Sequence, residues 1–184
     1  MMIILEFLKN NNIKTRFDIG ALIKEIHDHL QAQELKLSAC FSAVIELPNK
    51  KLEAINVGDC RVYELWKDSL RRITKDDSIV QELIDRGELT EEKAHVHSQK
   101  SFVTQALGSA EVLKMNFYDL DEKTTGFMLT SDGVHGELMD QKIEHVLYKE
   151  NLSVNEAYSI ILERSKALEG DQDDQSLMIV KKDL

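Results

Sequence analysis

A short apolar run meets an acidic turn at Phe127-Met128-Leu129-Thr130-Ser131-Asp132-Gly133-Val134. A second stretch mirrors it, because Gly170-Asp171-Gln172-Asp173-Asp174-Gln175-Ser176 leads into the apolar run Leu177-Met178-Ile179-Val180. Short apolar runs bounded by turn residues are typical of strands. A lone S-D-G turn is a common loop. Two carboxylate-bearing turns at strand ends, however, suit a hard divalent cation such as Mg²⁺ or Mn²⁺, which prefers oxygen ligands.

The composition predicts one acidic domain over residues 1–184, since 42% hydrophobic content is enough for one good-sized core. A net charge of −10 argues against nucleic acid or an anionic membrane as a partner, because both require basic patches. Cys40 and Cys60 fit a reducing compartment and indicate neither a disulfide framework nor a structural zinc site. The apolar start, residues 1–8, is too short to span a membrane and lacks secretory-signal features, so we predict a soluble, cytoplasmic protein.

The first half of the chain is predicted to form two helices and then a run of strands. Helices are expected over residues 1–9 and 18–33. In the second helix one face is apolar, formed by Ile19, Leu22, Ile23, Ile26 and Leu30. The strands are expected over residues 42–47, 52–57, 61–66 and 70–74.

The second half mixes helices and strands. Ser78 and Gln81 have the spacing of a capping box, with Gly87 as the helix stop, and a short helical turn opens at residues 90–92. The remaining elements are strands over 113–120 and 126–130, helices over 140–149 and 153–168, and a strand over 177–181. The helix over 153–168 starts with Ser153 and Glu156 at capping-box spacing. Hairpins set apart from helices predict an α+β fold with helices packed outside a sandwich of antiparallel sheets.

One segment resembles a known family. Asn56-Val57-Gly58-Asp59-Cys60-Arg61-Val62-Tyr63 is similar to the N-V-G-D-S-R-x-Y segment of metal-dependent PPM (protein phosphatase 2C) phosphatases, with cysteine in place of the usual serine. The likeness runs from about Ile4 to Val180 and is greatest to the compact bacterial members. Further motifs follow in the family's order, namely Ile73-Thr74-Lys75-Asp76-Asp77-Ser78, Gly87, Ala94, His97, Gln105-Ala106-Leu107-Gly108, Leu129-Thr130-Ser131-Asp132-Gly133 and Asp173-Asp174.

The resemblance implies a four-layer α/β-β/α sandwich and a two-metal cluster that hydrolyses phosphoserine and phosphothreonine in proteins. By position, Asp132 and Asp173 match two metal-ligand aspartates, with Gly133 and Asp174 beside them. Asp77, or its neighbour Asp76, matches an aspartate for a weaker third metal. We expect Asp132 and Asp173 to lie close together and their repulsion to raise the pKa of one of them.

The departures from the family concern the site itself. Family members carry an arginine that grips phosphate, an N-E-D segment and a D-G-x-G-G segment whose aspartate bridges both metals, and this sequence contains none of them. Asp18-Ile19-Gly20 lies too far along to substitute. The domain is therefore expected to be incomplete at its N-terminus, with about three strands missing. We predict weak Mn²⁺ or Mg²⁺ binding and impaired or absent catalysis, because the bridging carboxylate and the bidentate phosphate clamp are both lacking.

Two functions remain open. The first is a serine/threonine phosphatase whose missing strands come from another polypeptide or from residues outside this sequence. The second is a non-catalytic phosphatase-like module that binds a phosphoprotein, a kinase or a regulator. In either case missing strands would leave open sheet edges, which invite pairing with another chain. We therefore expect a homodimer, a higher assembly or a complementing polypeptide.

The histidines offer weaker candidate sites. His95 and His97 alternate, so in an extended segment both would point the same way and could pair on a metal, although a packing role for His97 is favoured. His27 and His29 lie two apart on a predicted helix, where side chains do not face each other. We interpret both as surface residues.

The remaining candidates have mainly structural interpretations. Cys40 follows Ala39 and precedes Phe41, so we predict a buried small side chain and not a nucleophile. Asp59 and Arg61 could form a salt bridge that fixes their turn. Trp66 could mark a partner surface, but local packing is favoured.

Overall fold

A computed structural model describes residues 15–34, 37–149, 152–166 and 173–181, so the helix predicted over residues 1–9 lies outside the described residues. The strands are β1 (Phe41–Glu46), β2 (Leu52–Val57), β3 (Arg61–Leu65), β4 (Leu70–Arg72), β5 (Asn116–Asp119), β6 (Gly126–Thr130) and β7 (Leu177–Lys181). The helices are α1 (Arg16–Gln31), α2 (Ile79–Asp85), α3 (Glu91–His95), α4 (Asp132–His135), α5 (Asp140–Lys149) and α6 (Val154–Arg164).

The strands form two antiparallel sheets with the orders β1-β2-β5 and β4-β3-β6-β7. Alternation along each strand gives every sheet one face toward the other sheet and one toward helices. Between the sheets lie Ala54, Val62 and Leu120, with Phe127 and Leu129 packed against them.

Helix α1 covers the first sheet through a cluster that includes Ile19, Ile23, Ile26, Ile55 and Val57. Helices α5 and α6 cover the second sheet through a cluster that includes Tyr63, Met128, Ile143, Val146 and Ile161. The predicted α+β sandwich with helices outside is confirmed.

Strand β6 brings the two acidic segments together. It pairs with β3 on one side and with β7 on the other, and Thr130 lies opposite Leu177 in the β6–β7 register. Because the pairing is antiparallel, the residues that follow β6 lie beside the residues that precede β7. The strand pairing therefore places Asp132 next to Asp173.

Several element ends are set by caps that the sequence patterns anticipated. Ser78 accepts a hydrogen bond from the backbone of Gln81, and Ser153 forms a reciprocal capping box with Glu156. Gly87, predicted as a helix stop, has a φ of 72°, a conformation that favours glycine.

Other element bounds differ from the predictions. Helix α1 begins two residues early because Thr15 is its N-cap, with Asp18 as the partner in a capping box. Strand β5 covers only residues 116–119, since it pairs with just four residues of β2. The acidic turn after β6 is in fact the four-residue helix α4, which starts at Asp132.

The prediction that His27 is a surface residue is wrong. His27 is buried, and its Nδ1 accepts the N–H of Gly108 at 3.1 Å. It follows Ile23 by one helical turn and Ile19 by two, so it borders the apolar face of α1 that packs on the sheet. His29 is exposed, as predicted.

Trp66 packs locally, as favoured from the sequence, with the Arg71 guanidinium 5.6 Å from its ring centroid. Within the described ranges, every helix is too short or too polar to cross a membrane.

Candidate metal centre

Ser131 fastens the segment before Asp132 to the segment after Asp173. Its N–H donates to the carbonyl oxygen of Ser176 at 2.9 Å, and its hydroxyl donates to the carbonyl oxygen of Asp174 at 3.1 Å. The N–H of Ser176 donates back to the Ser131 hydroxyl at 2.9 Å. Three hydrogen bonds therefore fix the relative positions of the two acidic segments.

Gly133 permits this close approach. A Cβ at this position would lie 2.6 Å from the carbonyl oxygen of Asp174 and 3.0 Å from that of Asp173. Both contacts are with backbone, which has little freedom to move aside. A side chain at residue 133 would therefore push the segment that carries Asp173 away from Asp132.

Asp132 and Asp173 line one cavity of about 540 Å³. Asp59 and Asp76 line the same cavity, and Asp59 is only 8% exposed. Asp59 was predicted from the sequence only as a partner of Arg61, although its position in the G-D-C turn next to β3 is a signal for a site residue. These four aspartates come from four separate segments, and the lining also includes Asp140, Glu91 and Glu137.

The electrostatics of the cavity favour a cation. Burial raises the pKa of Asp132, and the negative charge of Asp173 raises it further. Burial likewise raises the pKa of Asp59, to which the charges of Asp132 and Asp76 add. In the part of the chain that the structure describes, no lysine or arginine forms an ion pair with Asp132 or Asp173. The expectations that these two residues meet and that one pKa is raised are confirmed.

Arg61 neutralises other carboxylates in the cavity. Its Nε and Nη2 donate to Asp76 at 3.0 and 2.7 Å, and its Nη1 lies 3.3 Å from Asp140. The Tyr63 hydroxyl also donates to Asp140, at 2.9 Å. The salt bridge suggested between Asp59 and Arg61 is therefore wrong, because Arg61 turns toward Asp76 and Asp140.

The structure separates the two candidates for a third metal position. Asp76 lines the cavity of Asp132, whereas Asp77 lines a second cavity. The Asp77 carboxylate accepts hydrogen bonds from the Gly58 N–H and the Asn116 amide, both at 3.0 Å. Asp77 thus fixes the turn before β3, and its role as a metal ligand stays a prediction.

Known proteins with similar sequences are serine/threonine phosphatases. The serine/threonine phosphatase stp of Listeria welshimeri is 30% identical over 130 residues, which are 70% of this chain and 51% of that protein. PstP of Mycobacterium tuberculosis is 37% identical over 99 residues, or 53% of this chain and 19% of that protein. The chain thus spans about half the length of the first of these relatives, and less of the second. No protein-family model matches the chain.

Solved structures share the fold. Staphylococcus aureus Stp1 superposes with a TM-score of 0.78 over 98% of this chain and 76% of that chain, at 20% identity. The PPM Ser-Thr phosphatase MsPP of Mycobacterium smegmatis gives a TM-score of 0.71 over 90% and 72% of the two chains, at 18% identity. The PstP catalytic domain in complex with two manganese ions gives 0.67 over 89% and 72%, at 24% identity. This chain carries a PPM-type phosphatase domain.

The histidine pair of this PPM-type domain does not have the geometry that a shared metal requires. His95 is the last residue of helix α3 and lines the cavity, whereas His97 follows in a turn, where its Nδ1 accepts the N–H of Gln99 at 3.2 Å. The segment is not extended, so the assumption behind the pair is wrong. Over all residues that the structure describes, no three His, Cys, Asp or Glu side chains are arranged to hold one metal ion.

The cysteines of the PPM-type domain are free and partly buried. Burial raises the pKa of Cys60 to about 12 and that of Cys40 higher still. Neither thiol is therefore ionised near neutral pH, which agrees with the prediction that Cys40 is not a nucleophile.

Proposed function

We propose that Asp132 and Asp173 bind Mn²⁺ or Mg²⁺ and that the domain acts on phosphorylated serine and threonine residues of proteins. The observation that supports this most directly is the meeting of two carboxylates, without a basic partner among the described residues, in one cavity. Hard carboxylate oxygens are the donors that both ions prefer. The names of the sequence relatives point to the substrate class, and one structural neighbour is a complex with manganese.

The residues of this chain would orient and balance such an ion. Asp132 is held by the Gly133 N–H, which donates to its Oδ1 at 3.0 Å, while the Ser131 contacts hold the segment of Asp173. A bound ion would neutralise charge on the phosphoryl oxygens and lower the pKa of a bound water. Arg61 keeps Asp76 neutralised, so Asp76 competes little for the ion.

We further propose that metal binding is weak and that this chain alone hydrolyses phosphoproteins poorly. The sequence contains no D-G-x-G-G segment and no arginine followed by an N-E-D segment. Two carboxylates form a weak site for a hard dication, and a phosphate dianion needs a positioned cationic clamp. The absence of a three-residue metal cluster among the described residues favours the alternative, a phosphatase-like module that binds a phosphoprotein or a kinase without hydrolysis.

Thermal melts and phosphate-release assays with and without Mn²⁺ test both parts of the proposal. We expect Mn²⁺ at about ten times its Kd to stabilise the native chain by about 1.4 kcal/mol, and Asp132→Asn to abolish that gain. Glu122→Gln, which removes an exposed carboxylate outside the cavity, should retain it. Phosphopeptide hydrolysis should stay at background in all three proteins.

The two assays separate the possible failures. If Mn²⁺ leaves the melting curve of the native chain unchanged, the metal site is refuted. If Mn²⁺-dependent turnover is robust and disappears in Asp132→Asn, the metal site stands and the proposed impairment is refuted.

We also propose that a second copy of the chain pairs along the open edge of β7. Met178 and Val180 lie on the face of the sheet that points toward the other sheet, opposite Leu129 and Phe127, yet they are 55% and 37% exposed. Among the described strands, only β6 pairs with β7, and an exposed apolar edge invites β-pairing. Leu177-Met178-Ile179-Val180-Lys181 would pair with itself in antiparallel register, with each Met178 facing a Val180.

Sedimentation velocity tests this pairing. A dimer at micromolar concentration should dissociate in Met178→Lys and persist in Val112→Lys, which adds the same charge at an exposed apolar residue outside the strands. A native chain that sediments as a monomer would refute self-pairing. If the chain is a monomer that pairs with a different polypeptide through β7, that polypeptide is the partner and not a second copy.

A further inference from the structure

The cavity is lined by basic residues as well as acidic ones. Its lining includes Arg61, His95 and Lys100 in addition to five aspartates. Helix α3 and the turn that follows it supply His95 and Lys100, whereas Asp132 and Asp173 come from the ends of β6 and β7. A cation bound by Asp132 and Asp173 and a basic side chain of the same cavity would together attract an anion.

We propose that Lys100 binds the phosphoryl group in this cavity, with its ammonium leaving Glu137 to contact the phosphoryl oxygens of a phosphopeptide. The inference rests on the proposed function, because it names the substrate-binding cation of the same site. It gives Lys100 a phosphate-binding role in a sequence that contains no arginine followed by an N-E-D segment.

The other two basic residues of the lining are poorly suited to this role. Arg61 already makes hydrogen bonds with Asp76 and is paired with Asp140. Burial lowers the pKa of His95, and the charge of Lys100 lowers it further, so His95 is neutral at physiological pH. A neutral imidazole attracts a phosphate dianion far less than an ammonium does.

Lys100 is available because its present ion pair is weak. Its Nζ lies 3.5 Å from Glu137, and the two side chains are 41% and 40% exposed. Exposed ion pairs of this kind contribute little to stability and exchange partners readily. The backbone around Lys100 is nevertheless fixed, because its N–H donates to the His97 carbonyl oxygen at 3.1 Å. The side chain can therefore move while its base stays at the cavity.

Glu137 is the natural competitor of a phosphoryl group for Lys100. It follows helix α4, which begins at Asp132, and it lines the same cavity. Neutralising Glu137 would leave Lys100 without this carboxylate partner and would also remove a negative charge that repels phosphate. The inference thus predicts opposite effects for removing the two members of one ion pair.

Isothermal titration calorimetry with inorganic phosphate, and separately with a phosphothreonine peptide, tests the inference on the full chain in saturating Mn²⁺. Lys100→Met should weaken the binding of both ligands about tenfold, the size expected for one charge-assisted hydrogen bond. Glu137→Gln should tighten it about threefold. Lys100→Arg should restore most of the affinity, because it retains the positive charge.

Lys142→Met is the matched control. Lys142 is exposed on α5 and is close enough to influence His95 electrostatically, but it does not line the cavity. Its removal should change the affinity less than about twofold, as expected for a solvent-screened charge. If Lys142→Met and Lys100→Met weaken phosphate binding equally, the effect is general attraction and the assignment of Lys100 is overturned.

Mn²⁺ affinity, measured for each variant by thermal melts, separates this inference from the function on which it rests. A native chain that does not bind Mn²⁺ refutes the metal site. The phosphate titrations of the native chain and Lys100→Met, repeated without metal, then test the role of Lys100. Unchanged phosphate binding in Lys100→Met with a native melting curve overturns the inference, as does a native chain that binds neither ligand.

Discussion

Two pairs of aspartates line the same cavity, but their surroundings differ. Asp76 and Asp140 share the Arg61 guanidinium, and Asp140 also accepts the Tyr63 hydroxyl. Asp132 and Asp173 have no such basic partner within the described ranges, and the pKa of Asp132 is raised by burial and then by Asp173. The first pair is neutralised by the protein itself. The second pair keeps a negative charge that a cation from solution can neutralise.

The difference indicates which carboxylates serve folding and which serve binding. A buried charge that the chain neutralises contributes to a defined packing arrangement, and removal of its partner is costly. A pair of like charges in the same surroundings destabilises the fold unless a ligand compensates. Residues of one chemical type in one cavity therefore have opposite effects on stability, and substitutions can separate the two roles.

The largest expected effect is on the neutralised pair. Arg61→Met should lower the free energy of unfolding by about 3 kcal/mol or more, because it leaves Asp76 without its cation in a position that is mostly buried. Arg86→Met removes an exposed arginine paired with Glu88 and should cost less than about 1 kcal/mol. Urea unfolding of both variants checks this. Equal losses would show that Arg61 and Asp76 are not coupled as the geometry indicates.

The second prediction concerns the contact that holds the other pair together. Gly133→Ala should lower the free energy of unfolding by about 1–3 kcal/mol, because its Cβ would overlap the backbone at Asp174. It should also reduce the stabilisation by Mn²⁺, since Asp173 is displaced. Gly87→Ala is the comparison, because its Cβ would meet open space and only the φ of 72° is unfavourable. Retention of the full Mn²⁺ effect in Gly133→Ala would contradict the proposed role of this approach.

A smaller effect is expected from Tyr63→Phe. This change removes the hydroxyl that donates to Asp140 from a fully buried ring, without changing the packing of that ring. The loss should be about 1–2 kcal/mol, at the low end for a hydrogen bond to a charged group, because Asp140 keeps its ion pair with Arg61. Urea midpoints compared with Tyr158→Phe, whose ring is 39% exposed, give the measurement. A loss no greater than that of the control would show that the ion pairs of Asp140 with Arg61 and Arg72 satisfy it without the hydroxyl.

The smallest effect has the opposite sign. The folded-state pKa of Asp132 is raised, so its contribution to stability is present at low pH and is lost as pH rises through that pKa. Asp132→Asn should therefore be more stable than the native chain at pH 7.5 without metal, and the difference should shrink as the pH falls. Urea midpoints measured from pH 7.5 down to the ordinary pKa of an aspartate, about 3.9, give this difference, with Glu122→Gln as the control. A variant less stable than the native chain at pH 7.5 would mean that Asp132 is compensated after all.

Much of the fold could be predicted because local patterns determine it. Strands β2, β6 and β7 and helix α5 have the predicted bounds, since each is defined by a short apolar run or an amphipathic stretch between turn residues. Caps at Ser78 and Ser153 were visible as residue pairs at fixed spacing. The ends of α1 and β5 were less predictable, because one depends on a cap at Thr15 and the other on how far its partner strand extends.

The sequence by itself determined the sandwich of two sheets, the resemblance to PPM phosphatases and the two aspartates at the ends of β6 and β7. Only the tertiary structure decided that Asp59 joins them, that Asp76 and not Asp77 lines their cavity, and that Arg61 turns to Asp76 and Asp140. It also decided that His27 is buried against the loop of Gly108. The physical reason is the sequence separation between the residues that interact. Periodicity, caps and turns act between residues a few positions apart, whereas the partner of a charge depends on which distant segments meet in the folded chain.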